Sequence, residues 1–120
     1  MECIDIMIIK EHTLQEQIIQ LLKLHNYIVF SMDLMIGNRF IKDTNSRFLF
    51  INKQKKLGYT KGQPDIVIIS PTGKITFIEL KNKKGKQSEE QKIVQEELQK
   101  RNVDYLLWNS FDDALKFVEK

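Results

Sequence analysis

Apolar residues near the start of the chain recur with a helical period. Leu14, Ile18, Leu21, Leu22 and His25 follow an i, i+4, i+7, i+8, i+11 spacing, which predicts a helix over about residues 11–25. Residues 2–9 (ECIDIMII) are apolar and partly β-branched but only weakly periodic, and they read as a short strand or arm. Residues 27–32 (YIVFSM) read as a strand. Residues 33–46 are mixed, with a turn expected at Gly37-Asn38. A second strand is expected at 47–51 (RFLFI), followed at 52–63 by a polar, basic loop or short helical turn. Residues 64–81 (PDIVIISPTGKITFIELK) then hold two apolar runs around a tight turn. Ser88 and Gln91 form a capping-box pattern that opens a helix running to about residue 101. Its inner face carries Gln91, Val94 and Leu98. Residues 104–108 (DYLLW) read as a last strand. Ser110 precedes a final helix with Phe111, Ala114, Leu115 and Val118 on one side.

The central hairpin can be given a register. Pro71 suits the second position of a type I turn, and Gly73 suits the left-handed position that closes a three-residue loop. Ser70 then faces Lys74, and counting outward brings Asp65 opposite Glu79 on the same face, with Cβ atoms ~5 Å apart. Lys81, two residues beyond Glu79, lies on that face as well. Both hairpin faces are apolar: Ile66, Ile68, Ile78 and Leu80 on one, Val67, Ile69, Ile75 and Phe77 on the other. The hairpin is therefore expected at the centre of a sheet, covered on both sides. The element order predicts an α/β fold, a mixed central sheet flanked by helices on both faces.

The 120 residues, 42% hydrophobic and 29% charged, suit one globular domain over 1–120. No apolar run approaches the ~20 residues of a membrane span, so no membrane partner is expected. The opening MECIDIMIIK is too acidic, and its apolar part too short, for a signal peptide. The single cysteine, Cys3, excludes an internal disulfide and suits a reducing compartment. Together these point to an intracellular, cytoplasmic protein. The net charge of +3 says little until it is divided. Residues 39–86 hold 12 Lys/Arg against 3 Asp/Glu, while the flanks hold 7 against 13. The basic segment suits a polyanion, and two of its three acids are Asp65 and Glu79.

Two carboxylates held close repel each other unless a cation lies between them. Mg²⁺ or Mn²⁺ suits such a pair, because a hard divalent cation takes a few oxygen ligands and keeps room for water and phosphate oxygens. An ammonium such as that of Lys81 can orient the water or offset developing charge. Lys53, Lys55, Lys56, Lys61, Lys83, Lys84 and Lys86 are candidates for holding a nucleic-acid backbone. The bland alternatives are a cross-strand salt bridge for the trio and a solvated lysine-rich surface for the rest. Glu11 has two readings, a dipole-favoured carboxylate near a helix start or an inward-facing ligand. His25 reads as a helix-end residue, and Phe40, Phe48 and Phe50 as core or interface residues.

The combination of Gly62-Gln63-Pro64-Asp65, Glu79-Leu80-Lys81, Ser88-Glu89-Glu90-Gln91 and a leading Glu11…Gln15 resembles the virus-type replication-repair nuclease (VRR-NUC) domain of the PD-(D/E)XK superfamily. The resemblance spans about residues 11–118. It implies a restriction-endonuclease-like αβββαβ core and metal-dependent cleavage of DNA. Asp65, Glu79 and the Leu80 carbonyl would then hold the metal, with Glu11 an additional ligand. Lys81 would position the attacking water. Gln91 would support the site from its helix, though the capping box explains it as well. Stand-alone members of this size resemble Holliday-junction resolvases and act as homodimers, which implies branched DNA and a second copy as partners. A non-catalytic nucleic-acid-binding module on the same fold, and an ordinary α/β interaction domain, are the alternatives.

Overall fold

The computed structural model describes residues 3–32, 42–81 and 85–119, with side chains described from residue 13 onward. Helix α1 spans Cys3–Leu24, so residues 3–9 are helical and not the strand or arm expected of them. Once a helix is nucleated, adding residues costs less than starting a new element, and β-branched side chains weaken this only slightly. Ile18 and Leu22 are fully buried on its inner stripe, with Leu14 and Leu21 packed beside them, while Glu16 is exposed. The helix stops at Asn26, whose φ of 65° is left-handed, and the Tyr27 amide returns to the Leu22 carbonyl at 3.0 Å.

Strand β1 (Ile28–Ser31) follows, and then helix α2 (Thr44–Lys56). This corrects the second strand expected at 47–51, which is the middle of α2. Two features outside the apolar run decide it. The Asp43 carboxylate caps the helix by accepting the Ser46 amide and hydroxyl at 2.8 and 2.9 Å. Lys53, Lys55 and Lys56 sit in the last turn, where the helix dipole favours cations. None of the α2 side chains is buried, and Phe48 is 65% exposed, so Phe48 is not the core residue it could have been.

The remaining elements are strands β2 (Ile66–Ile69) and β3 (Ile75–Leu80), helix α3 (Glu89–Lys100), strand β4 (Asp104–Trp108) and helix α4 (Phe111–Val118). Among the described residues the four strands form one mixed sheet in the order β1-β2-β3-β4. The first two pairings are antiparallel, and β3–β4 is parallel. The αβββαβ order therefore holds, with α2 inserted between β1 and β2. The hairpin has the register its turn predicts, from Ile66↔Ile78 to Ile69↔Ile75, and the Ser70 amide meets the Lys74 carbonyl at 2.9 Å.

The two sheet faces are unequal. Ile66, Ile68, Ile78 and Trp108 pack with Ile18 and Leu22 of α1 and Ala114 of α4 into the main core. Phe117 stacks against Trp108 and Tyr27 at its edge, with ring centroids 5.4 and 5.8 Å apart. The opposite face carries Phe77, Glu79 and Tyr105, and α3 covers it there. Towards β1 the cover thins. Val67, Ile69 and Phe77 are half-buried, and Ile28 and Phe30 are exposed, so the hairpin is not sealed equally on both sides as its apolar faces suggested.

Candidate active site

The candidate site lies at the C-terminal end of β3, on the α3 face. β3 carries Glu79 as its fifth residue, and alternation turns this carboxylate away from the Ile78 core towards α3. It is only 2% exposed. Gln91, in the first turn of α3, donates its side-chain amide to Glu79 Oε1. The same amide group accepts the Ser88 N–H through its oxygen at 2.8 Å, and Ser88 Oγ accepts the Gln91 N–H at 3.2 Å. Gln91 thus closes the capping box and bonds Glu79 at once. Lys81 Nζ is 3.8 Å from Glu79 Oε1. Glu79 Oε2 is buried and has no hydrogen-bond partner among the described residues.

Asp65 stands one residue before β2, where the ladder ends. Its amide donates to the Ile78 carbonyl at 3.1 Å, and its carbonyl accepts the Met32 amide at 2.8 Å. Its Oδ2 accepts the Leu80 amide at 2.7 Å. The direct Asp65–Glu79 pairing expected from the turn is therefore replaced by a side-chain bridge to the next residue of β3. In extended backbone the N–H and C=O of one residue point the same way, so the Leu80 carbonyl also faces the Asp65 side.

Burial pushes the Glu79 carboxyl up to about 8, and the Asp65 carboxylate adds to the shift; Lys81 and the Gln91 hydrogen bond offset part of it. A buried carboxylate oxygen without a donor, beside a second carboxylate, is a costly arrangement for a protein alone. A hard cation relieves both the burial and the repulsion, so the donor set fits Mg²⁺ or Mn²⁺. Among the described residues no three of His, Cys, Asp and Glu cluster.

Other sequence candidates spread more widely. Lys53, Lys55 and Lys56 are exposed on α2, and Lys86 is exposed just before α3. Lys61 Nζ is 3.3 Å from Glu90 Oε1. Lys83, Lys84, Phe40 and the Gly37-Asn38 turn lie outside the described residues, as does the Glu11 side chain. His25 is exposed just past α1, as expected of a helix-end residue.

The sequence reading missed the polar network beside Glu79. Tyr105 is buried on the same face, and its hydroxyl accepts Gln87 Nε2 at 3.2 Å; Gln87 also donates to Gln95 Oε1 at 2.8 Å. Burial, with Glu79 nearby, pushes the Tyr105 phenol up to about 12, which keeps it protonated. The parallel pairing Phe77↔Tyr105 was the signal that could have placed it. Gln63 stands in the motif but was given no role there: its Nε2 donates to the Met32 carbonyl at 2.6 Å and its Oε1 accepts the Thr60 amide at 3.1 Å, which ties the Asp65 loop to the end of β1.

The family model for the VRR-NUC domain matches residues 9–112. A solved structure described as a VRR_NUC domain superposes with a TM-score of 0.65 over 92% of this chain and 95% of that one, at 22% identity. No curated protein matches the chain. The chain therefore belongs to the VRR-NUC domain family, a family of nuclease domains, and has the restriction-endonuclease-like α/β fold. Among the described residues no helix is long and apolar enough to cross a membrane.

Proposed function

We propose that the protein is a Mg²⁺- or Mn²⁺-dependent, structure-selective DNA endonuclease, acting as a homodimer in the manner of Holliday-junction resolvases. The observation that carries this reading is Glu79: a buried carboxylate, held through one oxygen by Gln91, with its other oxygen unpartnered beside Asp65. A module that only bound nucleic acid would gain nothing from burying negative charge in its basic segment. A divalent cation here supplies polarisation of the phosphodiester and a more acidic water. Asp65, Glu79 and the Leu80 carbonyl would hold it. Gln91 fixes the Glu79 carboxylate, and Lys81 orients the attacking water or offsets charge on the phosphate. Exposed lysines of α2 and the flanks of α3 hold the DNA backbone. A two-fold dimer would present two such sites to symmetric strands, and exposed apolar residues such as Phe30 and Phe48 suit an association surface.

Branched, flapped and linear DNA, incubated with and without Mn²⁺, test the reading. Cutting is expected only with the metal, is lost on chelation, and favours branched DNA. Cutting that ignores a chelator, or DNA binding without any cutting under all metal conditions, would overturn it. The α2 lysines give a separate expectation. Lys53→Ala, Lys55→Ala and Lys56→Ala combined should lower the slope of log binding constant against log salt by about 3, close to one unit for each phosphate no longer neutralised. An unchanged slope removes α2 from the DNA path and leaves the chemistry untouched.

A further inference from the structure

We infer that Gly62 is a positioning residue for the Glu79 carboxylate, acting through the first turn of α3 and the Gln91 side chain. The inference rests on the cation site proposed above. Gly62 has a φ of +90°, and a Cβ on it would lie 2.5 Å from the Glu90 carbonyl carbon, 2.7 Å from the Gln91 nitrogen and 2.7 Å from the Glu90 oxygen. These are backbone atoms of a capped helix, and they cannot swing aside as a side-chain tip can. Gly58, in the same loop, has a φ of +109° and nothing within 4 Å of such a Cβ. Torsion alone accounts for a glycine at 58, whereas at 62 the helix itself excludes a side chain.

The loop is anchored where it meets α3. Gln63 ties it to Met32, and Lys61 reaches Glu90. Its backbone therefore sets where the first turn of α3 lies. Gln91 belongs to that turn, so any displacement there moves the amide that bonds Glu79 Oε1. That bond commits one carboxylate oxygen to the protein and leaves Oε2 for the cation. Three residues after Gly62, the same stretch delivers Asp65. One short segment thus supplies one ligand directly and orients the other through a helix.

Mn²⁺ alone, without DNA, is titrated by electron paramagnetic resonance into the wild type, Gly62→Ala, Gly58→Ala, Gln91→Ala and the Gly62→Ala/Gln91→Ala pair. Circular dichroism and thermal melts establish folding, and the Gln91 side-chain amide is followed by ¹⁵N resonance. Gly62→Ala should bind Mn²⁺ about tenfold more weakly, the size expected when a residue supporting a metal ligand is lost, and should shift the Gln91 amide signal. Gly58→Ala should change neither. In the double variant the second loss should be less than about twofold, because both changes act on one bond. Gly62→Asn tolerates the left-handed torsion but keeps the Cβ, and should repeat the alanine result. Wild-type affinity in Gly62→Ala, losses that multiply in the double variant, or failure of both Gly62 variants to fold overturns the inference alone. A wild type that binds no Mn²⁺ overturns the cation site with it.

Discussion

Glu79→Gln is expected to abolish cleavage while making the cation-free protein more stable. The loss of activity follows from replacing a hard anionic ligand by a neutral amide, and a drop on the order of 10³-fold corresponds to the several kcal/mol that a bound cation contributes. The gain in stability follows from burial. The Glu79 carboxyl titrates near 4.5 when exposed and near 8 in the fold. The folded state then holds this proton more tightly than the unfolded state, so stability falls as pH rises from about 4.5 to about 8 and is flat on either side. This is opposite in sign to Asp43, Glu90 and Glu97, whose lowered carboxyls favour the fold above the usual carboxylate range. Across its window the Glu79 contribution is on the order of 5 kcal/mol, which corresponds to roughly 20 °C in Tm. Melts of the chelated wild type between pH 5 and pH 8 should show this decline, and Glu79→Gln should remove most of it. Mn²⁺ should restore the wild type at pH 8 by binding the folded state, and should leave the variant unmoved. A variant that melts below the wild type at pH 8 would show that the carboxylate is held by something other than a cation.

The same burial explains which parts of the molecule could be read from its sequence. The hairpin register was legible because Pro71 and Gly73 are local turn chemistry, and everything from Ile66 to Ile78 follows by counting. It ceased to be legible at Asp65, where the carboxylate takes the Leu80 amide and the ladder yields to a side-chain contact. Residues 47–51 misled because RFLFI carries no periodicity of its own. Its state was set by the Asp43 cap on one side and the lysines on the other, and neither belongs to the apolar run. Residues 3–9 misled for a related reason: their helix is continuous with a better-patterned one that follows.

Within the candidate site, residues whose chemistry is their own could be singled out from the sequence, and contacts that depend on the fold could not. Asp65, Glu79 and Lys81 stand out as charges among apolar neighbours. Gln91 was visible through its capping box, but its second bond, to Glu79, depends on how α3 lies over β3. Tyr105 and Gln87 reach the Glu79 face only through the parallel β3–β4 pairing and the α3 approach. Gly62 lacks a side chain altogether, and its constraint comes from a helix that begins 27 residues later in the chain. Such relations are tertiary, and no local pattern encodes them.

A substitution at Lys81 would separate catalysis from binding at the proposed site. The Lys81 ammonium is 3.8 Å from Glu79 Oε1 and its side chain is largely covered, so it is placed beside the carboxylates and not among the exposed lysines. Lys81→Met preserves the length and packing of the stem and removes only the charge. Turnover should fall by roughly 10²–10³-fold, the range for losing a group that orients a nucleophile or offsets transition-state charge. DNA binding should change little, since one lysine contributes about one unit of salt slope at most. Two effects then need separating. The Lys81 charge also favours the ionised form of Glu79, so without it the proton competes better with a cation. Single-turnover cleavage at increasing Mn²⁺ distinguishes them. If Lys81 serves only to keep Glu79 ionised, saturating Mn²⁺ restores the wild-type rate. If it acts on the water or the phosphate, the Mn²⁺ dependence shifts but the plateau stays low, and the low plateau is the expected result.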